Sequence, residues 1–488
     1  VIDPVPDTPD WVRDAIFYQI FPDRFARSPA VPKPTGLDPW GAPPTAHGYQ
    51  GGDLIGLTER LDYLVDLGIN ALYLTPIFQS ASNHRYHTHD YHQVDPMLGG
   101  NDALRRLLDE AHARGLRVIL DGVFNHASRG FFQFHDILEN GEKSAYRDWF
   151  HIHHFPLNAY NPDKGIGYGA WWGLPALPKF NTDNPAVREF LWGVARRWID
   201  FGIDGWRLDV PNEIQDDEFW REFRRRVKGA NPAAYIVGEV WHEARHWLRG
   251  DMWDAVMNYL FTRACIAFFI GDHVDSRELG HTCLHPAGPP GAAAFRKAIE
   301  ELLALYHPQV TAVQLNLLGS HDLARFVTLA RGDQSALRLA RLFQMTYPGA
   351  PSIYYGDEIG LSGGHDPLNR GAFPWDSSLW DHDVRRDVQR WIQFRNSRTV
   401  LRRGTFQFLL AEDEVVAYLR AADNDAVVVV LNAGRTTRRI DLPWPKELPE
   451  GTVFEEVGAR REPLVGAPAF RGLSLAPRSG RVLARIHA

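Results

Sequence analysis

Cysteine is scarce: Cys265 and Cys283 are the only two among 488 residues. That excludes a disulfide framework, and the pair reads as two ordinary thiols, with a single bridge between them left open. No stretch approaches the ~18 consecutive apolar residues of a membrane span. The opening VIDPVPDTPDW lacks the basic and apolar segments of a secretory leader, so a cytoplasmic location is expected, although the absence of an initiator Met leaves a removed leader open. Positive charge is not in excess either. Lys plus Arg number 53 against 60 Asp plus Glu, and a net charge of −7 offers no general attraction to nucleic acid or to an anionic membrane. Internal repeats, low-complexity tracts and long charge runs are also missing, which removes solenoid and tail-like readings.

What is present is a globular mixture, 44% hydrophobic and 23% charged, which excludes a disordered or fibrous chain. Aromatic residues make up 12%, with 16 Trp. Apolar ring faces suit the flat faces of sugars, and a Trp-rich core explains the same excess equally well.

Eight short apolar runs alternate with segments of helical period, the pattern of parallel βα units. They are IFYQIF (16–21), ALYLTPIF (71–78), RVILDGVF (117–124), GIDGWRLDV (202–210), YIVGEVW (235–241), AVMNYLF (255–261), VQLNLLGSHD (313–322) and SIYYGDEIG (352–360). Eight is the number of a (β/α)8 TIM barrel. Asn184 and Pro185 open a helix whose apolar face runs Val187, Leu191, Val194, Trp198 and which stops at Gly202. Asn101 is expected to cap the helix before the third strand, with Gly115 closing it. The expected organisation is a catalytic barrel over 1–126 and 183–400, a small inserted domain over 127–182, and a C-terminal antiparallel β-sandwich over 401–488. The last is read from alternating strands around an Asn-Asp turn.

In parallel barrels the chemistry sits where strands end. The third run ends in Asp121, Asn125 and His126, the fourth in Arg207 and Asp209, the fifth in Glu239, the seventh in His321 and Asp322. Arg207 and Asp209 are two apart on a strand and share a face, so the guanidinium keeps the carboxylate charged and usable as a nucleophile. Glu239, between Gly238 and the apolar Val240 and Trp241, is expected in its protonated form as proton donor. Two carboxyl groups held in opposite protonation states are what glycoside hydrolysis requires. Each residue alone reads as readily as a structural ion pair or cap; the weight comes from their matching strand ends.

The blocks DGVFNH (121–126), GWRLDVPNE (205–213), VGEVWH (237–242) and LLGSHD (317–322), in that order, resemble the signature segments of the α-amylase family of glycoside hydrolases. LPKFN (177–181) and EVWHEARHWLRGDMWDAVMNY resemble its neopullulanase and cyclomaltodextrinase subgroup. The resemblance implies that Asp209 is the nucleophile, Glu239 the acid/base, and Asp322 the third carboxylate. It implies that Arg207 orients Asp209 and that His84, Tyr86, His126 and His321 hold the sugar at the cut. Asp366 and Arg370 would clamp the next glucose. The implied substrate is an α-glucan oligosaccharide, cut at α-1,4 and also α-1,6 bonds in maltooligosaccharides, cyclodextrins or pullulan. An α-glucosidase or transglucosylase of the same family is the alternative.

The sequence departs from the subgroup in three places. The first barrel strand begins near residue 15, so the subgroup's N-terminal β-sandwich is not expected, nor the dimer it builds, and a monomer is. No cofactor is expected to be required. FARSPAVPKP lacks the Asn and Asp cluster of the family's Ca²⁺ site, leaving mainly Gly51 and Asp53, while Asn125 reads equally as a ligand of a second family calcium site or as a loop-orienting amide. Gly319 stands where the subgroup often has Asp. Two rivals come from other classes. His84, His87, His89, His92 and HIHH (151–154) suggest a metal-dependent barrel hydrolase, against which Arg207 would repel the cation. A sugar-binding protein would explain the aromatics but would not need both Asp209 and Glu239.

Overall fold

Eight strands lie where the apolar runs predict them: β1 Phe17–Ile20, β2 Ala71–Leu74, β3 Arg117–Gly122, β4 Gly205–Leu208, β5 Tyr235–Gly238, β6 Ala255–Val256, β7 Leu315–Leu317 and β8 Ala350–Tyr354. They belong to one parallel sheet in a computed structural model that describes residues 5–286, 291–449, 451–458, 464–465 and 469–486. This is the (β/α)8 barrel expected from the sequence. Apart from Arg117 the strand residues are buried, because helices cover a parallel sheet, and that is why the runs read as continuous apolar text. Among the described residues no helix is long and apolar enough to cross a membrane.

The chain divides into two compact units. The first comprises Val1–Trp11, Phe17–Met257 and Arg370–Trp375. It holds β6-β5-β4-β3-β2-β1, paired in parallel in that order. Gly205 sets one register, since a Cβ there would lie 2.2 Å from the Tyr235 carbonyl oxygen. Close approach of β4 and β5 puts Arg207 opposite Val237 on one side and Asp121 on the other. The helix Pro185–Phe201 starts on the Asn184 side chain and ends on a left-handed Gly202, as the sequence implies. The helix Gly100–Ala113 differs from expectation: Gly99 caps it, and the Asn101 side chain instead accepts from Val94 N–H. Residues 78–94 form an antiparallel hairpin, Phe78–Ser80 with Thr88–Val94, that the helical and parallel-strand patterns did not reveal.

The second unit comprises Val12–Ile16, Asn258–Asn369 and Asp376–Ala488. It holds β7 and β8 and the C-terminal strands. The sixth apolar run, read as one strand over 255–261, is in fact two residues of strand followed by the helix Tyr259–Cys265. The Asn258 side chain caps that helix by accepting from Phe261 N–H. Among the described residues beyond 404, six strands form an antiparallel sheet and two more, Arg438–Pro443 and Ala469–Leu475, pair separately. Leu442, Phe470, Leu473 and Leu475 from the pair share one apolar core with Val415, Ala417, Leu419, Val428 and Val430 from the sheet. The strand Asp425–Asn432 departs from simple alternation, for both its faces are buried. On the other side of the same sheet the Tyr418 ring lies 5.7 Å from Phe343, and its hydroxyl meets Thr346 Oγ1 at 2.6 Å. Cys265 is buried and Cys283 exposed, both as free thiols.

Candidate active site

One guanidinium organises the first unit's strand ends. Arg207, buried on β4, places Nη1 at 2.9 Å from Asp121 Oδ1 and 3.0 Å from Asp209 Oδ1. Nη2 lies 2.9 Å from Glu239 Oε2. The period-two geometry of a strand thus delivers the expected Arg207–Asp209 pair. Asp209 and Glu239 both touch the same guanidinium, because neighbouring parallel strands end side by side and the planar fork reaches across them.

Glu239 is also held from two other directions. Val210 N–H donates to Oε2 at 3.1 Å, and the Trp241 indole N–H donates to Oε1 at 2.9 Å. Val210 reaches that position in a left-handed conformation, φ 36° and ψ 49°, rare for a β-branched residue. The strain falls directly after Asp209, where the turned backbone lets the Val210 N–H reach Glu239 while the Asp209 carboxylate meets Arg207.

Asp121 is the residue whose role the sequence did not disclose. It is fully buried, accepts hydrogen bonds from Tyr73 (2.8 Å) and Tyr86 (2.7 Å), and lies opposite Arg207 in the β3–β4 register. Burial pushes its carboxyl up to about 6 despite the Arg207 charge and the tyrosine hydroxyls, which pull the other way. The signal for it was its place at a strand end; the partner assignment needs the register, which sequence alone does not fix.

His126 is buried and neutral, its pKa lowered to about 3 chiefly by desolvation. Asn125 Nδ2 lies 3.3 Å from His126 Nδ1. An amide N–H donating there leaves the ring proton on Nε2, which has no hydrogen-bond partner and lies 3.9 Å from Asp209 Oδ2. A neutral, buried donor thus lies beside the Asp209 carboxylate. LPKFN fixes this histidine from both sides: Ala127 N–H donates to Pro178 O, and Phe180 N–H to Asn125 O. His84 and Tyr86 are half-buried in the hairpin loop. Tyr86 N–H donates to His84 Nδ1, and the Tyr86 hydroxyl ties the loop to Asp121.

In the second unit His321 is buried, with Nε2 3.2 Å from the partly exposed Asp322 Oδ2. Asn369 Nδ2 donates to the carbonyls of Ser320, His321 and Leu323, clamping this turn. Gly319 has a local reason: a Cβ would come 3.3 Å from Asp357 Oδ2, a carboxylate held by Arg325 at 2.8 Å. Asp366 is exposed, whereas Arg370, counted with the first unit, is buried and places its guanidinium 5.4 Å from the Phe21 ring centre.

The calcium candidates do not fit a calcium ion. Asp53 spends Oδ1 on capping Gly56 N–H at 2.7 Å, and its Oδ2 meets Ser28 N–H at 3.0 Å and the Lys33 ammonium at 2.9 Å. An ammonium already neutralises the carboxylate a divalent ion would need. Gly51 points its N–H, not its carbonyl, at Asp23. Asn125 Oδ1 is buried without a partner, but one neutral oxygen falls far short of the 6–8 that Ca²⁺ takes. Nor does the histidine-rich loop assemble a metal centre: among the described residues no group of three or more His, Cys, Asp or Glu is arranged to hold one.

The family pattern described as "Alpha amylase, catalytic domain" matches residues 19–405. A cyclomaltodextrinase from a Bacillus species is 49% identical over 438 residues, which cover 88% of this chain and 75% of that protein. Neopullulanase 2 from Thermoactinomyces vulgaris is 44% identical over 443 residues, 90% of this chain and 72% of the relative. The solved native form of a debranching enzyme from Nostoc punctiforme is similar with a TM-score of 0.90 at 48% identity, across 98% of this chain and 99% of that one. The matched stretch contains β2 to β8, the last two residues of β1 and every strand-end residue described above, and the chain belongs to the α-amylase family of glycoside hydrolases.

Proposed function

We propose that the protein hydrolyses α-1,4 glucosidic bonds in short maltooligosaccharides and cyclodextrins, and α-1,6 bonds as in pullulan, with retention of anomeric configuration. Asp209 attacks the anomeric carbon while Glu239 gives its proton to the departing glucosidic oxygen. Glu239 then takes a proton from water, whose oxygen displaces Asp209 and regenerates both groups. Asp322 holds sugar hydroxyls and favours ring distortion, and the His126 Nε2–H donates to a hydroxyl of the same sugar. The observation that carries this reading is the Arg207 fork, which fixes Asp209 and Glu239 to one rigid group at adjacent strand ends. The proton Glu239 delivers belongs on Oε1, the oxygen turned to Trp241 and away from the guanidinium. The names cyclomaltodextrinase, neopullulanase and debranching enzyme carried by the relatives support the substrate class and the α-1,6 activity.

Proton NMR of fresh product from maltoheptaose, γ-cyclodextrin and pullulan tests the proposal. The expected first product is the α-anomer, with turnover lowered by about 10³-fold or more in Asp209→Asn and Glu239→Gln at unchanged folding. A β-anomer as first product would overturn the role of Asp209. Turnover of maltoheptaose without ring opening of γ-cyclodextrin would overturn the substrate preference.

A further inference from the structure

Among the described residues Trp172 is the most exposed large hydrophobic side chain, ahead of Tyr160 and Phe132. Its side chain is 80% exposed, and its backbone is left-handed, φ 50° and ψ 22°. A large apolar ring held in solvent by a strained backbone is doubly unfavourable for folding, and such a combination points to use. One indole face is covered: the ring stacks on Trp171 with centroids 4.5 Å apart and planes 11° from parallel. Trp171 in turn stacks on His126, at 5.4 Å and 20°. The stack therefore starts at the ring beside Asp209 and ends in an open indole face two ring spacings out.

We propose that Trp172 is a stacking platform for an outer glucosyl unit of the substrate, at a position beyond the residues expected to hold the sugar at the cut. The proposal rests on the α-glucan reading above and adds the point at which chain length is sensed. A glucosyl ring carries a flat C–H face that packs on an indole, and an indole needs no hydrogen-bond register to accept it. The platform is continuous with His126, so a chain bound at the cut has a second anchor in reach. Pinning by Trp171, and through it by the buried His126, keeps the platform from swinging away, which limits the ordering cost of binding.

The test is a chain-length series, maltotriose to maltoheptaose, with wild type, Trp172→Ala and Trp172→Phe. The expected result is a loss of kcat/KM in Trp172→Ala that grows with chain length, reaching about ten-fold on maltoheptaose through KM and several times smaller on maltotriose. Trp172→Phe, which keeps a ring face, is expected to recover most of the loss, and thermal melting of all three reports folding. Equal losses on both sugars, or none on maltoheptaose, would overturn the platform while leaving the α-glucan activity standing. A dimer in sedimentation that dissociates in Trp172→Ala would also overturn it, by assigning the indole to a second copy of this chain. Wild type that turns over no glucan of the series would remove the activity and the platform together.

Discussion

Buried arginine serves two different purposes, which Arg207 of the first unit and the pair Arg395 and Arg420 of the second illustrate, although the second unit also has a buried arginine on a carboxylate, Arg325 with Asp357. In the first, Arg207 faces three carboxylates: Asp121, Asp209 and Glu239. In the second, Arg395 and Arg420, both fully buried, face backbone carbonyls. Arg395 donates to the carbonyls of Met345, Tyr347, Leu401 and Gly349. Arg420 donates to those of Thr346, Leu401, Gly404 and Thr405. Several of these oxygens close the helices Gln334–Thr346 and Thr399–Arg403, whose last carbonyls have no partner within the helix. The same side chain thus either fixes the charge of a reacting centre or finishes the ends of helices. Burial alone does not tell the two apart; the partner does.

Replacing each arginine should separate the two purposes, with the largest effect at Arg207. Arg207→Lys keeps a positive charge but not the planar fork, so it cannot hold Asp209 and Glu239 together. Turnover of maltoheptaose is expected to fall by about 10²-fold or more. Near-normal turnover in a folded Arg207→Lys enzyme would show that the fork is dispensable. Arg420→Met should do the reverse, lowering unfolding free energy by roughly 3–5 kcal/mol as buried carbonyls lose their donors. The folded fraction should retain its kcat, and a variant of unchanged melting temperature would contradict the helix-closing role.

The smallest effect concerns pH and is confined to the first unit. His126 and His87 are held neutral by burial, with pKa values lowered to about 3 and about 4, whereas in the unfolded chain both titrate near ~6.5. As pH falls from about 6.5 toward 4, the unfolded chain takes up protons that the native one refuses, so their contribution to stability declines over that window. Asp121, raised to about 6, works in the opposite direction, which makes the comparison with a variant more telling than the wild-type curve. His87→Gln should flatten the acid-side fall of stability by up to ~1.4 kcal/mol per pH unit. Parallel wild-type and variant curves between pH 6.5 and 4 would exclude His87 as a source.

The barrel was legible because parallel strands covered on both faces leave continuous apolar runs, and because Asn184-Pro185 and Gly202 mark a helix by simple stereochemistry. The candidate site residues were legible as polar interruptions at the ends of those runs. What escaped depends on register and on side-chain reach. Nothing in the order of residues says that Arg207 spans to Glu239, that Asp121 lies opposite Arg207, or that Val210 turns left-handed. The Asp425–Asn432 strand misled through its own text, since a strand buried on both faces and one buried on a single face share the same β-branched vocabulary. Asn258 was read as strand because a helix cap and a strand end use the same short polar side chain.

The two hydrogen bonds that flank His126 tie the excursion from Ala127 to Pro178 back to its own starting point. Its remote turn, residues 160–165, is exposed and closed by Asn158 Nδ2 donating to Gly165 O. A loop with pinned ends pays little for added chain, about 0.6 kcal/mol for each doubling of length. Residues can therefore be inserted or removed at that turn with His126 left in place, which makes it a natural graft point for reshaping the surroundings of the cleft without rebuilding its floor.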